Sequence, residues 1–188
     1  MSEPERRFEP LTAAELTAEQ RQVAESIAAG PRGRFGGPFD ALLRSPELAD
    51  AAQRLGEVVR FRSSLSGPLN ELATLLVARR WTVQYEWHAH QKLALAAGVA
   101  PAVVDAIAAG RAPAALSGEE RAVYDFVSEL LDAGEVSDGS FAAALEAFGE
   151  RGVLDLIGVA GYYTLLAFVL NVDRCPIPPG AEPLAKPS

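Results

Sequence analysis

From residue 17 onward the chain is a succession of helix start and stop signals, most of the breaks between them marked by glycine or proline. "TAEQ" sets Thr17 and Gln20 at the two reciprocal positions of a capping box, and the helix it opens runs out before Gly30. Ser45 followed by Pro46 supplies a cap and a first-turn proline ahead of "PELADAAQRLGEVVRFRSSL". "SGP" at 66–68 ends that helix and leads into "LNELATLLVARRW"; "VQYEWHAHQKLALAAG" follows and stops at Gly98. "PAVVDAIAAG" covers a short helix from Pro101, and Ser117 with Glu120 forms a second capping box before "RAVYDFVSELLDAG". Residues 140–149 and 152–171 complete the series. No stretch alternates with period two between turn residues, so no sheet is expected. The expected fold is all-α: a single-domain bundle of about eight helices over residues 17–172, with an N-terminal extension over 1–16 and a proline-rich arm over 173–188.

Bulk properties narrow the function by exclusion. With 188 residues, 49% of them apolar, the chain can bury the core of one domain, and 22% charged residues is too ordinary for global disorder. A formal charge of −8 is wrong for coating phosphates of nucleic acid or for docking on anionic lipid. A small anionic substrate remains compatible, provided a few arginines make a local positive pocket. The single cysteine, Cys175, cannot make an internal disulfide, a CxxC pair or a zinc-finger site. The start "MSEPERRFEPL" lacks the apolar run of a secretory signal, so a soluble, cytoplasmic protein is expected. "LIGVAGYYTLLAFVLNV", uncharged from 156 to 172, reads as a central helix rather than a membrane span, because it is short for a bilayer and diluted by glycine and tyrosine. "GPRGRFGGPF" at 30–39 is a glycine-rich loop, but it follows a helix and lacks the Lys–Ser/Thr ending of a phosphate-binding loop.

Chemistry concentrates in "YEWHAH", residues 85–90, which holds both histidines of the chain. On a helix, Val83, Glu86, Trp87, His90, Ala94 and Ala97 fall within a sector about 100° wide, otherwise apolar and therefore facing inward. His88 points roughly 140–160° away from Glu86 and His90. Glu86 and His90 stand at i, i+4, close enough to touch, and an acid and an imidazole on an apolar stripe must pair or shift their titration. Such a pair can move protons near neutral pH; it can equally be a structural pair that satisfies itself in the core. Glu71 shares a face with Leu75 and Ala78 one helix earlier, and reaches the same interior if the two helices pack antiparallel; a helix-start glutamate favoured by the macrodipole is the alternative. His88 and His90 diverge, and no third histidine completes a metal set, so no metal is expected. No GxSxG nucleophile motif occurs.

"NELATLLVARRWTVQYEWHAHQKLALAAGVAPAVVDAI" resembles the core of the carboxymuconolactone decarboxylase and alkylhydroperoxidase-D-like superfamily. The shared pattern is an upstream glutamate, here Glu71, and then a helix with Glu86, Trp87, His90, Ala94 and Gly98. With the flanks "GPRGRFGGPFDALLRSPELA" and "NVDRCPIPPGAEPL", the likeness covers roughly residues 28–182. The peroxidase branch carries a CxxC on this helix; Val83 and Glu86 stand at those two positions, so its disulfide chemistry is not expected here. The resemblance to the decarboxylase branch implies a cofactor-independent lyase acting on a small carboxylated lactone, within the breakdown of aromatic compounds. It implies His90 as general acid with Glu86 and Glu71 orienting it or relaying protons, and Arg60, Arg34 and Trp87 as substrate-binding residues. It also implies a homo-oligomer, trimeric or hexameric. A different acid–base enzyme on the same scaffold, an isomerase or hydrolase, or a non-catalytic oligomeric binding protein are the competing readings.

Overall fold

The computed structural model describes residues 5–33 and 35–185. Among these the chain forms eight helices and no strand: α1 Ala18–Ala29, α2 Pro38–Leu42, α3 Pro46–Phe61, α4 Gly67–Arg80, α5 Gln84–Ala97, α6 Pro101–Ala108, α7 Gly118–Ala133 and α8 Asp138–Asp173. Both expected capping boxes are made, Thr17 with Gln20 and Ser117 with Glu120. Ser45 makes no capping bond through its hydroxyl, and α3 relies on Pro46 in its first turn. One expectation needs adjusting. α2 lies at the end of the stretch read as a glycine-rich loop, because five residues are too few to show a helical period. The two helices expected at 140–149 and 152–171 are present as the two arms of α8, separated at Gly149, whose φ 65° and ψ 178° are not helical.

α4 is the centre of the molecule. Leu69, Asn70 and every residue from Leu72 to Arg79 are buried, which explains why its apolar residues show no single face. α5, α7 and the second arm of α8 pack around it, and α3 and α2 close over α8. By length and composition α8 could cross a membrane, but half of its most apolar stretch is buried inside the protein. Tyr162, Tyr163, Leu166, Ala167 and Leu170 point into the core.

Both terminal segments are tied to this bundle. Arg6 pairs with Asp173 at 2.7 Å and with Asp40 at 3.2 Å, and the Phe8 amide donates to the Asp173 carboxylate. The proline-rich arm folds back over α4 and α5: Gln84 exchanges two hydrogen bonds with Leu184, Arg79 donates to the Ala185 carbonyl at 2.6 Å, and the Leu184 side chain is buried.

Candidate acid–base site

Three residues, 81–83, join α4 to α5, with Thr82 in the left-handed region at φ 50° and the Val83 amide bonded back to the Ala78 carbonyl. The tight turn makes an antiparallel pair, so residues similarly distant from it sit side by side. That is how Glu71, early in α4, meets His90, midway along α5. His90 Nδ1 lies 2.7 Å from Glu71 Oε2. A carboxylate can only accept, so the proton of this bond sits on Nδ1 and Nε2 is the nitrogen left for other chemistry.

Glu86 stands one turn before His90 and is only 3% exposed, yet neither of its oxygens has a hydrogen-bond partner among the described residues. The i, i+4 spacing thus does not produce the expected Glu86–His90 pair; His90 is bonded to Glu71 instead. Burial pushes the Glu86 carboxyl well above the usual carboxylate range. Burial thus favours its protonated form, which has an O–H to donate and no acceptor for it among the described residues.

Glu86 and His90 line a cavity of about 60 Å³, together with Arg32, Arg60, Tyr85 and Tyr163. Tyr163 is edge-on to the His90 ring at 4.9 Å and its buried hydroxyl also lacks a partner among the described residues; desolvation raises its titration far beyond neutral pH. Tyr162, edge-on to Tyr163, receives a hydrogen bond from Arg32 Nη2 at 3.4 Å. Burial lowers the pKa of the Arg32 guanidinium, and the nearby charge of Arg60 pushes the same way. Arg32 stacks on the Phe39 ring and Arg60 on Phe61, and neither makes a salt bridge among the described residues. Two cations without counter-ions, a neutral carboxylic acid and an oriented imidazole thus face one small space. That arrangement can bind a carboxylate and hand a proton to it or to its skeleton.

The sequence-derived candidates divide clearly. His90, Glu86 and Arg60 line the cavity, and Glu71 holds His90 from behind it. Trp87 does not line it: the indole is packed in the core with Nε1 donating to Gln91 at 3.1 Å, so its place in the pattern is structural. Arg34 lies outside the described residues. Ala97 is exposed, so the inward stripe of α5 ends at Ala94. His88 faces away as expected, with Lys92 Nζ 3.0 Å from its Nε2. Arg32, Tyr85, Tyr162 and Tyr163 were not singled out from sequence. The "YY" pair inside an uncharged run was their one available signal, since a buried phenol wants a partner. A wider cleft of about 460 Å³ between α7 and the first arm of α8 contains no comparable set of groups.

Residues 46–129, which carry Glu71, Glu86 and His90, match the carboxymuconolactone decarboxylase family. The chain is similar over 95% of its length, and 95% of the other's, to an uncharacterized peroxidase-related protein from Ralstonia eutropha JMP134 with an alkylhydroperoxidase AhpD core; the TM-score is 0.75 and the identity 18%. That likeness is one of fold. No curated protein matches the sequence.

Proposed function

We propose that this chain, which belongs through residues 46–129 to the carboxymuconolactone decarboxylase and alkylhydroperoxidase-D-like superfamily, is a cofactor-independent lyase that removes CO2 from a small carboxylated lactone of the 4-carboxymuconolactone type. The observation that carries the reading is the meeting of an oriented imidazole, a neutral carboxylic acid and two carboxylate-free arginines around one cavity. Arg32 and Arg60 hold a carboxylate that the substrate retains. The bond to the departing carboxylate breaks, CO2 leaves, and the electron pair spreads into the conjugated lactone. The lactone is its own electron sink, which is why no organic cofactor is called for. Protonated Glu86 donates its O–H where negative charge accumulates. His90, protonated at both ring nitrogens before the step, delivers its Nε2 proton to the carbon skeleton, is left as the Nδ1–H tautomer that Glu71 fixes, and regains the Nε2 proton from solvent.

A dithiol peroxidase needs two sulfurs in reach of each other, and the chain has one cysteine, far from α5 in sequence and outside the acid–base cavity. Loss of ultraviolet absorbance and release of CO2 from 4-carboxymuconolactone, with native protein beside His90→Ala, test the proposal. Turnover that vanishes in the variant supports it; no turnover by folded native protein refutes the substrate, and equal turnover removes His90 from the chemistry.

The proposal includes a homo-oligomer, trimeric or hexameric. Leu154, Ile157, Gly161, Phe168 and Val172 of α8 are all exposed, Leu154 at 67%, and helical geometry puts them in one stripe about 60° wide. A long apolar stripe with a glycine at its middle is suited to close packing against another helix. Light scattering after size exclusion should give a multiple of the chain mass, lowered in Leu154→Glu/Phe168→Glu; a native monomer would refute it.

A further inference from the structure

The acid–base cavity is too small for the ligand its chemistry suits: about 60 Å³ holds a water or two, whereas ligand pockets usually begin near about 300 Å³. A second cavity of about 300 Å³ lies between the start of α5, the end of α8 and the proline-rich arm. Tyr85 and Leu170 line both spaces. We propose that the two cavities are halves of one binding site for a small cyclic carboxylic acid, divided in the unliganded protein by Tyr85, which swings aside so that the ring rests in the outer half and the carboxylate reaches Arg32 and Arg60. The assignment of the inner half rests on the acid–base reading above; the outer half stands on its own geometry.

Three observations support it. First, Tyr85 is held by packing alone. Its neighbours Gln84, Trp87 and His90 are each tied by side-chain hydrogen bonds, while the Tyr85 hydroxyl has none among the described residues. Second, the phenol rests on bare backbone. Gly37, at φ 67°, would bring a Cβ within 2.9 Å of Tyr85 Cε1 and Oη, and Gly36, at φ 130°, leaves open space beside the inner cavity. A side chain would be strained at either glycine and would strike the ring at Gly37, so the loop keeps room beside the phenol into which the ring moves. Third, the lining suits an anion with an apolar body. Val83, Leu170, Ile177, Pro176 and Pro183 offer flat apolar contact, Arg174 stands at the rim, and among the described residues the one carboxyl in either half is Glu86, whose protonated form burial favours.

Cys175 lines the outer half and is the only cysteine, so it serves as a tether. Thiol arms carrying benzoate or benzamide are exchanged onto Cys175 of the full chain under reducing competition and counted by intact mass. The two histidine Cε1 proton signals, assigned with His88→Gln, are then followed by NMR. The expected result is capture of the benzoate arm about five-fold or more over the benzamide arm, because only the former gains charge-assisted bonds to guanidinium, with the His90 signal displaced and the His88 signal still. Tyr85→Phe should behave as native. Tyr85→Trp, checked for folding by its melting curve, should lose both the benzoate preference and the His90 displacement, because the carboxylate no longer reaches Arg32 and Arg60. Equal capture of the two arms overturns the proposal, and so does preferential capture that leaves His90 unmoved in the native chain. Lactone turnover without preferential capture would leave the reaction standing and remove the bipartite site; capture without turnover would do the reverse.

Discussion

His90 Nδ1 and Glu71 Oε2 are 2.7 Å apart although nineteen positions and a helix turn separate the residues, while Glu86, on the same helix as His90 and one turn away, has no hydrogen-bond partner among the described residues. The two glutamates therefore have different work. Glu71 is a positioning residue that fixes the tautomer of the imidazole, and Glu86 is a neutral acid facing the cavity.

Replacing Glu71 by Gln tests the first role. The amide keeps the shape but no longer obliges Nδ1 to carry the proton, since it can accept or donate. Turnover of the lactone should fall about 10–100-fold with a small change in KM, as when the partner of a working histidine is removed. The 15N signals of the His90 ring should show a mixture of tautomers. An unchanged ring spectrum with lost activity would place the effect elsewhere.

Glu86 makes stability depend on pH in a defined direction. Its folded pKa is raised above the unfolded value of about 4.5, by desolvation. Below that value both states are protonated and the group contributes nothing. Above it only the unfolded chain ionises, so the native state loses stability as pH rises, by roughly 1 kcal/mol per pH unit until the folded pKa is reached. Glu86→Gln has no proton to lose. Its melting temperature should exceed that of the native protein at pH 8, with the gap closing towards pH 5. A gap independent of pH would mean that Glu86 is ionised in the folded protein.

How much of this was legible depended on whether a feature is local. Capping boxes and turn glycines act within four residues, so the helices were readable, and so was the inward stripe of Val83, Glu86, His90 and Ala94. Partner choice was not. Spacing on one helix sets the distance between Cβ atoms, but whether Glu86 bonds to His90 depends on which groups the packed α4 offers, and α4 offers Glu71. The positive wall of the cavity shows the same limit. "PRGR" presents two arginines with no period to rank them, and the structure places Arg32 against Tyr162 while Arg34 lies outside the described residues. Trp87 packs in the core outside the cavity, because its position in a shared pattern says that a large side chain is needed there without saying what it meets.

The contact between α3 and α8 above the cavity depends on one missing side chain. A Cβ at Gly56 would overlap the Tyr162 hydroxyl, which is fully buried and cannot move without disturbing Arg32. Gly56→Ala should destabilise the fold by about 1–3 kcal/mol, the usual cost of overpacking, despite the better helix propensity of alanine. Gly56→Ala with Tyr162→Phe, which removes the hydroxyl but leaves Cζ 2.7 Å from the added Cβ, should recover part of the loss. Denaturant unfolding of Gly56→Ala, Tyr162→Phe and the double variant decides it: losses that simply add would show that the hydroxyl overlap is not the cause.

Cys175 offers a measurement that needs no substrate. Burial pushes its thiol up to about 11, with Arg6 pulling the other way and Asp173 adding to the rise. A free thiol titrates near about 8.5, so at pH 7.5 Cys175 holds roughly a hundredth or less of the usual thiolate, and its alkylation by iodoacetamide should be about 100-fold slower than in a short peptide. The rate should climb nearly tenfold per pH unit through pH 9 and 10, where a free thiol has already levelled off. The folded state takes up this proton more tightly than the unfolded one, so the thiol's contribution to stability is present below about pH 8.5 and is lost as pH rises towards 11. Arg6→Gln removes the cation that Asp173 and Asp40 share, and should slow alkylation further at any pH below 11. Faster alkylation in that variant would mean that Arg6 protects the thiol by covering it, as the strap joining the N-terminal segment to the end of α8, rather than by its charge.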